Sequence, residues 1–152
     1  MNGISFKLKV HQHCQSLLSE RIESINKTIN DIQQSAKGEA KSSMGDKYET
    51  GAAVAHLEIE KQQSALYNLS RMQNIFDRID PKAPKREILP GALLNTNHGW
   101  IYVAAGLGKI IVENIEVMVI SPQAPITTIL TAVLAGNTGA LKGEEILIDQ
   151  IY

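Results

Sequence analysis

In Leu18-Ser19-Glu20-Arg21-Ile22-Glu23-Ser24-Ile25-Asn26-Lys27-Thr28-Ile29-Asn30-Asp31-Ile32-Gln33-Gln34-Ser35-Ala36, apolar residues stand at 18, 22, 25, 29, 32 and 36, with polar residues between them. Alternating steps of four and three draw a narrow apolar line down one face of an α-helix, the seam of a coiled coil. Carried backwards, the register meets Cys14, His11 and Leu8, so the helix is expected to begin near Ser5. Downstream, Ala52, Ala55, Ile59, Gln62, Leu66, Leu69, Met72 or Gln73, and Phe76 form a second, weaker register from about Tyr48 to Ile79, interrupted by Gln62. Two single-striped helices separated by the polar segment from Gly38 to Asp46 bury their seams against each other or against a partner chain. An antiparallel hairpin is the economical arrangement. At about 1.5 Å rise per residue each arm would be about 50 Å long, a thin rod suited to reaching into something.

Beyond the rod the composition changes. Residues 1–87 carry 13 Lys+Arg and 11 Asp+Glu, whereas residues 88–152 carry 2 and 5, so the halves hold +2 and −3. Between them lies Asp80-Pro81-Lys82-Ala83-Pro84-Lys85-Arg86, whose prolines stop an arriving helix. The expected organisation is a hairpin over 1–80, a linker over 81–87 and a second domain over 88–152. In that domain Gly99 to Ala104, Lys109 to Val112, Glu116 to Ile120 and Glu145 to Ile151 are β-branched runs punctuated by Gly and Asn. Gly106-Leu107-Gly108-Lys109 precedes a strand and reads as a hairpin turn rather than a phosphate loop. Ser121-Pro122-Gln123-Ala124-Pro125 followed by aliphatic residues to Ala135 and then Gly136 predicts a helix. The expected fold class is α+β, an antiparallel two-helix coiled coil followed by a small, mostly antiparallel sheet with one helix. Trp100 and Tyr102 alternate with Ile101 and Val103, so one of those faces is expected to belong to the core and the other to be exposed.

Composition bounds the function. No apolar run in these 152 residues approaches a membrane span, and the N-terminus lacks a basic-then-apolar signal pattern, so no membrane role and a cytoplasmic setting are expected. Cys14 is the sole cysteine, which excludes a disulfide framework and a Cys-cluster zinc site. A net charge of −1 argues against wrapping nucleic acid. His11, His13 and Cys14 do not converge on a helix, because His13 points away from the face that the other two share. No nucleophile, base and orienting group assemble into an autonomous enzyme.

The informative segment is Ser42-Ser43-Met44-Gly45-Asp46-Lys47-Tyr48-Glu49-Thr50-Gly51. Asp46 and Glu49 are three apart, so a helix starting near Asp46 carries both carboxylates on one edge of its first turn. Such a pattern fits a capping-box variant at a positive helix end. It also fits two exposed oxygen ligands for Mg²⁺, an ion that often takes only one or two protein carboxylates.

Gly45-Asp46-x-x-Glu49, the Ala-rich Ala52-Ala53-Val54-Ala55-His56 and the acidic Glu58-Ile59-Glu60-Lys61-Gln62 resemble the hairpin tip and second helix of the GreA/GreB family of transcription elongation factors. Ile120-Ser121-Pro122, the helix through Ala132-Val133-Leu134 and the closing Glu145 to Tyr152 are similar to that family's FKBP-like domain. The resemblance implies an accessory factor, not itself an enzyme, that binds RNA polymerase as a monomer or weak homodimer. Its coiled coil would enter the secondary channel and approach the RNA 3′ end, where Asp46 and Glu49 would assist cleavage of backtracked transcripts through Mg²⁺ shared with the polymerase. Lys47, Tyr48, Lys82, Lys85, Arg86, Ser121 and Pro122 are the candidate partner-binding residues. Lys47 between the acids, Thr50-Gly51 after them, and the absence of Asp from Gly136 to Ala140 depart from the family pattern. They leave open a channel-binding regulator without cleavage stimulation; a hairpin dimerisation module is the alternative from another class.

Overall fold

The structure, a computed structural model, describes the backbone of residues 2–42 and 45–152 and the side chains of residues 2–38 and 50–152. The protein is α+β, with two packed N-terminal helices followed by a sheet-and-helix domain. Helix α1 spans Gly3–Ser42 and α2 spans Gly45–Asp77. Helix α1 runs further than its seam predicts, because Glu39, Ala40 and Lys41 are good helix formers and Gly38 is tolerated at an exposed position, while α2 starts before Tyr48 and ends two residues short of Ile79. Upstream, the Asn2 side chain caps α1 by accepting the Ile4 N–H at 3.1 Å, a signal that lies ahead of the seam.

Two compact units divide the chain: residues 16–73 form one, and residues 1–15 with 74–152 form the other. Helices α1 and α2 contribute to both. In the 16–73 unit Leu18 is fully buried, but Ile22, Ile25, Ile29, Ile32 and Ala36 are only half-buried, as are Ala55, Ile59, Leu66 and Leu69 opposite them. A seam covered by a single neighbouring helix remains open along its flanks. Gln62, which interrupts the second register, donates to Glu58 Oε1 at 2.9 Å, and Gln73 donates to Ser19 at 3.4 Å. Ala52 departs from the expected seam and is exposed.

In the other unit the helical face widens. Phe6, Lys7, Val10, His11 and Cys14 are buried, and Phe76 of α2 is buried with them. The strands are β1 (Leu93–Thr96), β2 (Gly99–Val103), β3 (Gly108–Val112), β4 (Ile115–Ile120), β5 (Ala140–Leu141), β6 (Glu144–Glu145) and β7 (Ile148–Ile151), and α3 spans Pro125–Leu134. The main sheet has the order β3-β4-β2-β1-β7. Three of its pairings are antiparallel, as expected of a mostly antiparallel sheet, while β2 and β4 run parallel, Trp100 beside Val117 and Val103 beside Ile120.

That parallel pair overturns the hairpin expected at Gly106-Leu107-Gly108-Lys109. β4 lies between β2 and β3, so the segment is a crossover, and the tight hairpin is Glu113-Asn114 between β3 and β4. Both residues have positive φ, 51° and 64°, as a type I′ turn requires.

Both faces of β2 are core, where one was expected to be exposed, because helices cover the sheet from both sides. Trp100 and Tyr102 face α1, with the Trp100 and Phe6 rings 5.1 Å apart edge to face. Ile101 and Val103 face the opposite cluster with Leu94, Ile120, Leu130 and Ile146, against which Ile126, Ile129 and Val133 of α3 pack. Helix α3 enters at Pro125 and ends in a Schellman motif, with Gly136 N–H to Val133 O and Asn137 N–H to Ala132 O both at 3.0 Å.

Candidate functional site

The sequence-derived site begins at the first turn of α2. Gly45 opens that helix, so Asp46, Lys47, Tyr48 and Glu49 fall in its first turns, but their side chains lie outside the described residues. The first described positions beyond them are Thr50 and Gly51. Across from these, α1 presents Ile32, Ser35 and Ala36.

Small residues dominate this part of the hairpin. Because Ala36, Gly51 and Ala55 project little, the helix pair carries a groove on each side instead of a filled seam. One groove, about 440 Å³, is lined by Ile32, Ala36, Gly51, Val54 and Ala55, with Asp31 and Glu58 at its edge. The other, about 360 Å³, is lined by Ala36, Ala52, Ala55 and Ile59, with Lys37 and His56 among its polar residues. The exposed His56 ring lies 3.3 Å from Glu60.

The linker cations lie in the 1–15/74–152 unit. Lys82 and Arg86 are exposed and Lys85 is half-buried, and none of the three takes part in an ion pair among the described residues. The segment is folded by local bonds: Asp80 Oδ1 accepts the Lys82 N–H at 2.9 Å, and the buried Lys7 donates from Nζ to the Ala83 carbonyl at 2.7 Å. Burial lowers the Lys7 pKa, as does the neighbouring Lys85, while Asp80 opposes them. Sequence reading missed Lys7 because lysine is rarely buried.

Ser121 and Pro122 shape the entry to α3. The Ser121 hydroxyl donates to Gln123 Oε1 at 2.7 Å and accepts the Gln123 N–H at 3.0 Å, while its carbonyl accepts the Thr127 hydroxyl at 3.0 Å. Both residues remain half-buried.

Within the core of the same unit, His11 Nδ1 and the Tyr102 hydroxyl share a 2.8 Å hydrogen bond, with Phe76 against both rings. Cys14 is buried nearby, and desolvation pushes its thiol up to about 12. Thiolate chemistry at this residue is thereby suppressed at neutral pH. His13 is exposed, so it diverges from His11 and Cys14 as the helical spacing requires. Among the described residues no group of three or more His, Cys, Asp or Glu side chains could hold a metal ion, and no helix is long and apolar enough to cross a membrane.

No family model matches the chain, and it matches neither curated proteins nor solved structures. The helical hairpin joined to an α/β domain is the layout of a general partner-binding module.

Proposed function

We propose that the protein is a Gre-like factor: it binds RNA polymerase, passes its helical hairpin into the secondary channel, and assists cleavage of backtracked transcripts through Asp46 and Glu49. The observation that carries this reading is a two-helix hairpin followed in the same chain by a mixed α/β domain, with the second helix opening at Gly45, one residue before the first of the two acids. Positions three apart in a first helical turn share an edge, which suits two carboxylates that act together.

The donor set fits a hard cation. Two oxygen ligands are too few for a dedicated Mg²⁺ cage but enough to complete a coordination sphere begun by another protein. The ion would supply Lewis-acid and water-activating chemistry within the polymerase. The chain's own contribution is to carry the carboxylates in the first turns of α2. Lys82, Lys85 and Arg86, in no ion pair among the described residues, add positive charge for the acidic or phosphate groups of a partner.

The test is transcript cleavage by backtracked RNA polymerase from the source organism, with wild-type chain and with Asp46→Asn plus Glu49→Gln. Stimulation that disappears in the double variant supports the reading. Binding without stimulation favours the regulator that occupies the channel, for which Lys47 between the acids is the motivating residue. A second reading, hairpin-mediated dimerisation, is favoured by the half-buried seam at Ile22, Ile25 and Ile29. A stable dimer in light scattering that fails to co-elute with core polymerase would replace the first reading with this one.

A further inference from the structure

The two grooves beside the Ala36, Gly51 and Ala55 waist differ in the charge around them. On the larger one Asp31 is exposed, and Glu58 accepts the Gln62 amide; neither acid has an ion-pair partner among the described residues. Val54 lines this groove yet is 62% exposed, and Leu57, one turn further along α2, is 65% exposed. The exposed Val54 and the apolar trough of about 440 Å³ that it lines are uncovered together. Ridges of one helix fill grooves of this kind in another.

The charges select the occupant. A second copy docked on the same groove about a two-fold axis would set Asp31 and Glu58 against their own images, and like charges facing each other oppose association. Nucleic acid is repelled by the same rim. A helix that brings Lys or Arg to the flanks of an aliphatic ridge satisfies both the trough and the rim.

We propose that this groove is the docking site for a cationic amphipathic helix of a partner protein, the ridge entering between Ile32 and Val54 and the flanking cations meeting Asp31 and Glu58. This surface depends neither on the tip carboxylates nor on the polymerase reading proposed above.

The experiment titrates the full ¹⁵N-labelled chain with a synthetic Leu/Lys amphipathic helix and, separately, with its Leu/Glu counterpart. The expected result is amide shifts concentrated at residues 31–36 and 50–58 with the Leu/Lys peptide alone. Affinity should fall about tenfold or more in Asp31→Lys with Glu58→Lys, as expected when two close charge pairs are reversed. The reversed chain should in turn bind the Leu/Glu peptide. Helicity measured by circular dichroism checks that the variant folds; if the double variant does not, Asp31→Lys alone, at an exposed position, makes the same comparison. Binding insensitive to charge reversal, shifts mapped elsewhere, no binding of the Leu/Lys peptide at millimolar concentration, or self-association abolished by Val54→Asp would each overturn the proposal.

Discussion

His11 on α1 and Tyr102 on β2, 91 residues apart in the chain, form a 2.8 Å hydrogen bond in which both side chains are buried. Neither leaves a fully buried polar atom without a partner. Burial pushes the Tyr102 phenol above its usual range, so it keeps its proton. Desolvation lowers the His11 pKa, so the ring is neutral in the core, and we assign Nδ1 as acceptor of the phenol proton. This pair fixes the register of the first helical turns on the sheet, because sliding α1 by one residue would bury two polar groups without partners.

The pair gives stability a pH dependence of known sign. The folded-state pKa of His11 lies below the ordinary 6.5, against the pull of Asp77 and Asp80, so below that pH the unfolded chain binds the extra proton first. The His11 contribution is complete above about pH 6.5 and is lost as pH falls through the lowered value. Thermal unfolding at pH 7.5 and pH 5 should show acid destabilisation that His11→Gln reduces. Tyr102→Phe should cost about 1–3 kcal/mol at pH 7.5 by leaving the ring nitrogen without a donor.

Gly3 and Tyr152 make a second tight joint. A Cβ at Gly3 would fall on the Tyr152 ring, which itself stacks on Trp100 at 6.1 Å. Replacing glycine by alanine inside a helix normally stabilises by about 1 kcal/mol. Here Gly3→Ala should do the reverse, because the ring must leave its place. Trp100 is the only tryptophan, so its emission should shift to the red in Gly3→Ala as the stack opens. An unchanged spectrum with raised stability would refute this account.

The periodic elements were legible in the sequence: the seam from Leu18 to Ala36 predicted a helix, and Pro125 with Gly136 bracketed α3. What escaped was burial imposed from two sides. Leu93-Leu94-Asn95-Thr96 shows no alternation because Leu93 and Leu94 point to opposite faces and both are covered, so β1 is recognised only in the fold. His11 read as a polar seam residue because its partner is a distant tyrosine. The tip acids form the converse case. Their spacing carries the functional reading, while their side chains lie outside the described residues.

The closing segment shows how one side chain breaks an apparent strand. Glu145 to Ile151 reads as one run, but β6 ends at Glu145 and β7 begins at Ile148. Between them Ile146 turns into the core and Leu147 outward. Asn97 supports the break: its Oδ1 accepts the Leu147 N–H at 2.7 Å and its Nδ2 donates to the Glu145 carbonyl at 2.8 Å. Asn97→Asp keeps the acceptor, loses the donor, and brings a negative charge towards an acidic segment. It should cost about 1–2 kcal/mol, more than Asn97→Ser only if the charge contributes, and urea unfolding of the two variants side by side resolves this.

Lys7 carries the last prediction. Its buried stem and its bond to the Ala83 carbonyl hold the proline-bounded linker, which contains the exposed tryptic sites Lys82 and Arg86. Lys7→Met preserves the stem volume and removes the charge from a site that disfavours it, so global stability should change by less than about 1 kcal/mol. The released carbonyl loses its donor, however, and the linker should open locally more often. Limited trypsin digestion should therefore cut Lys7→Met at 82–86 several-fold faster than wild type, with matching unfolding midpoints. Equal cleavage rates would show that the lysine serves only to fill space.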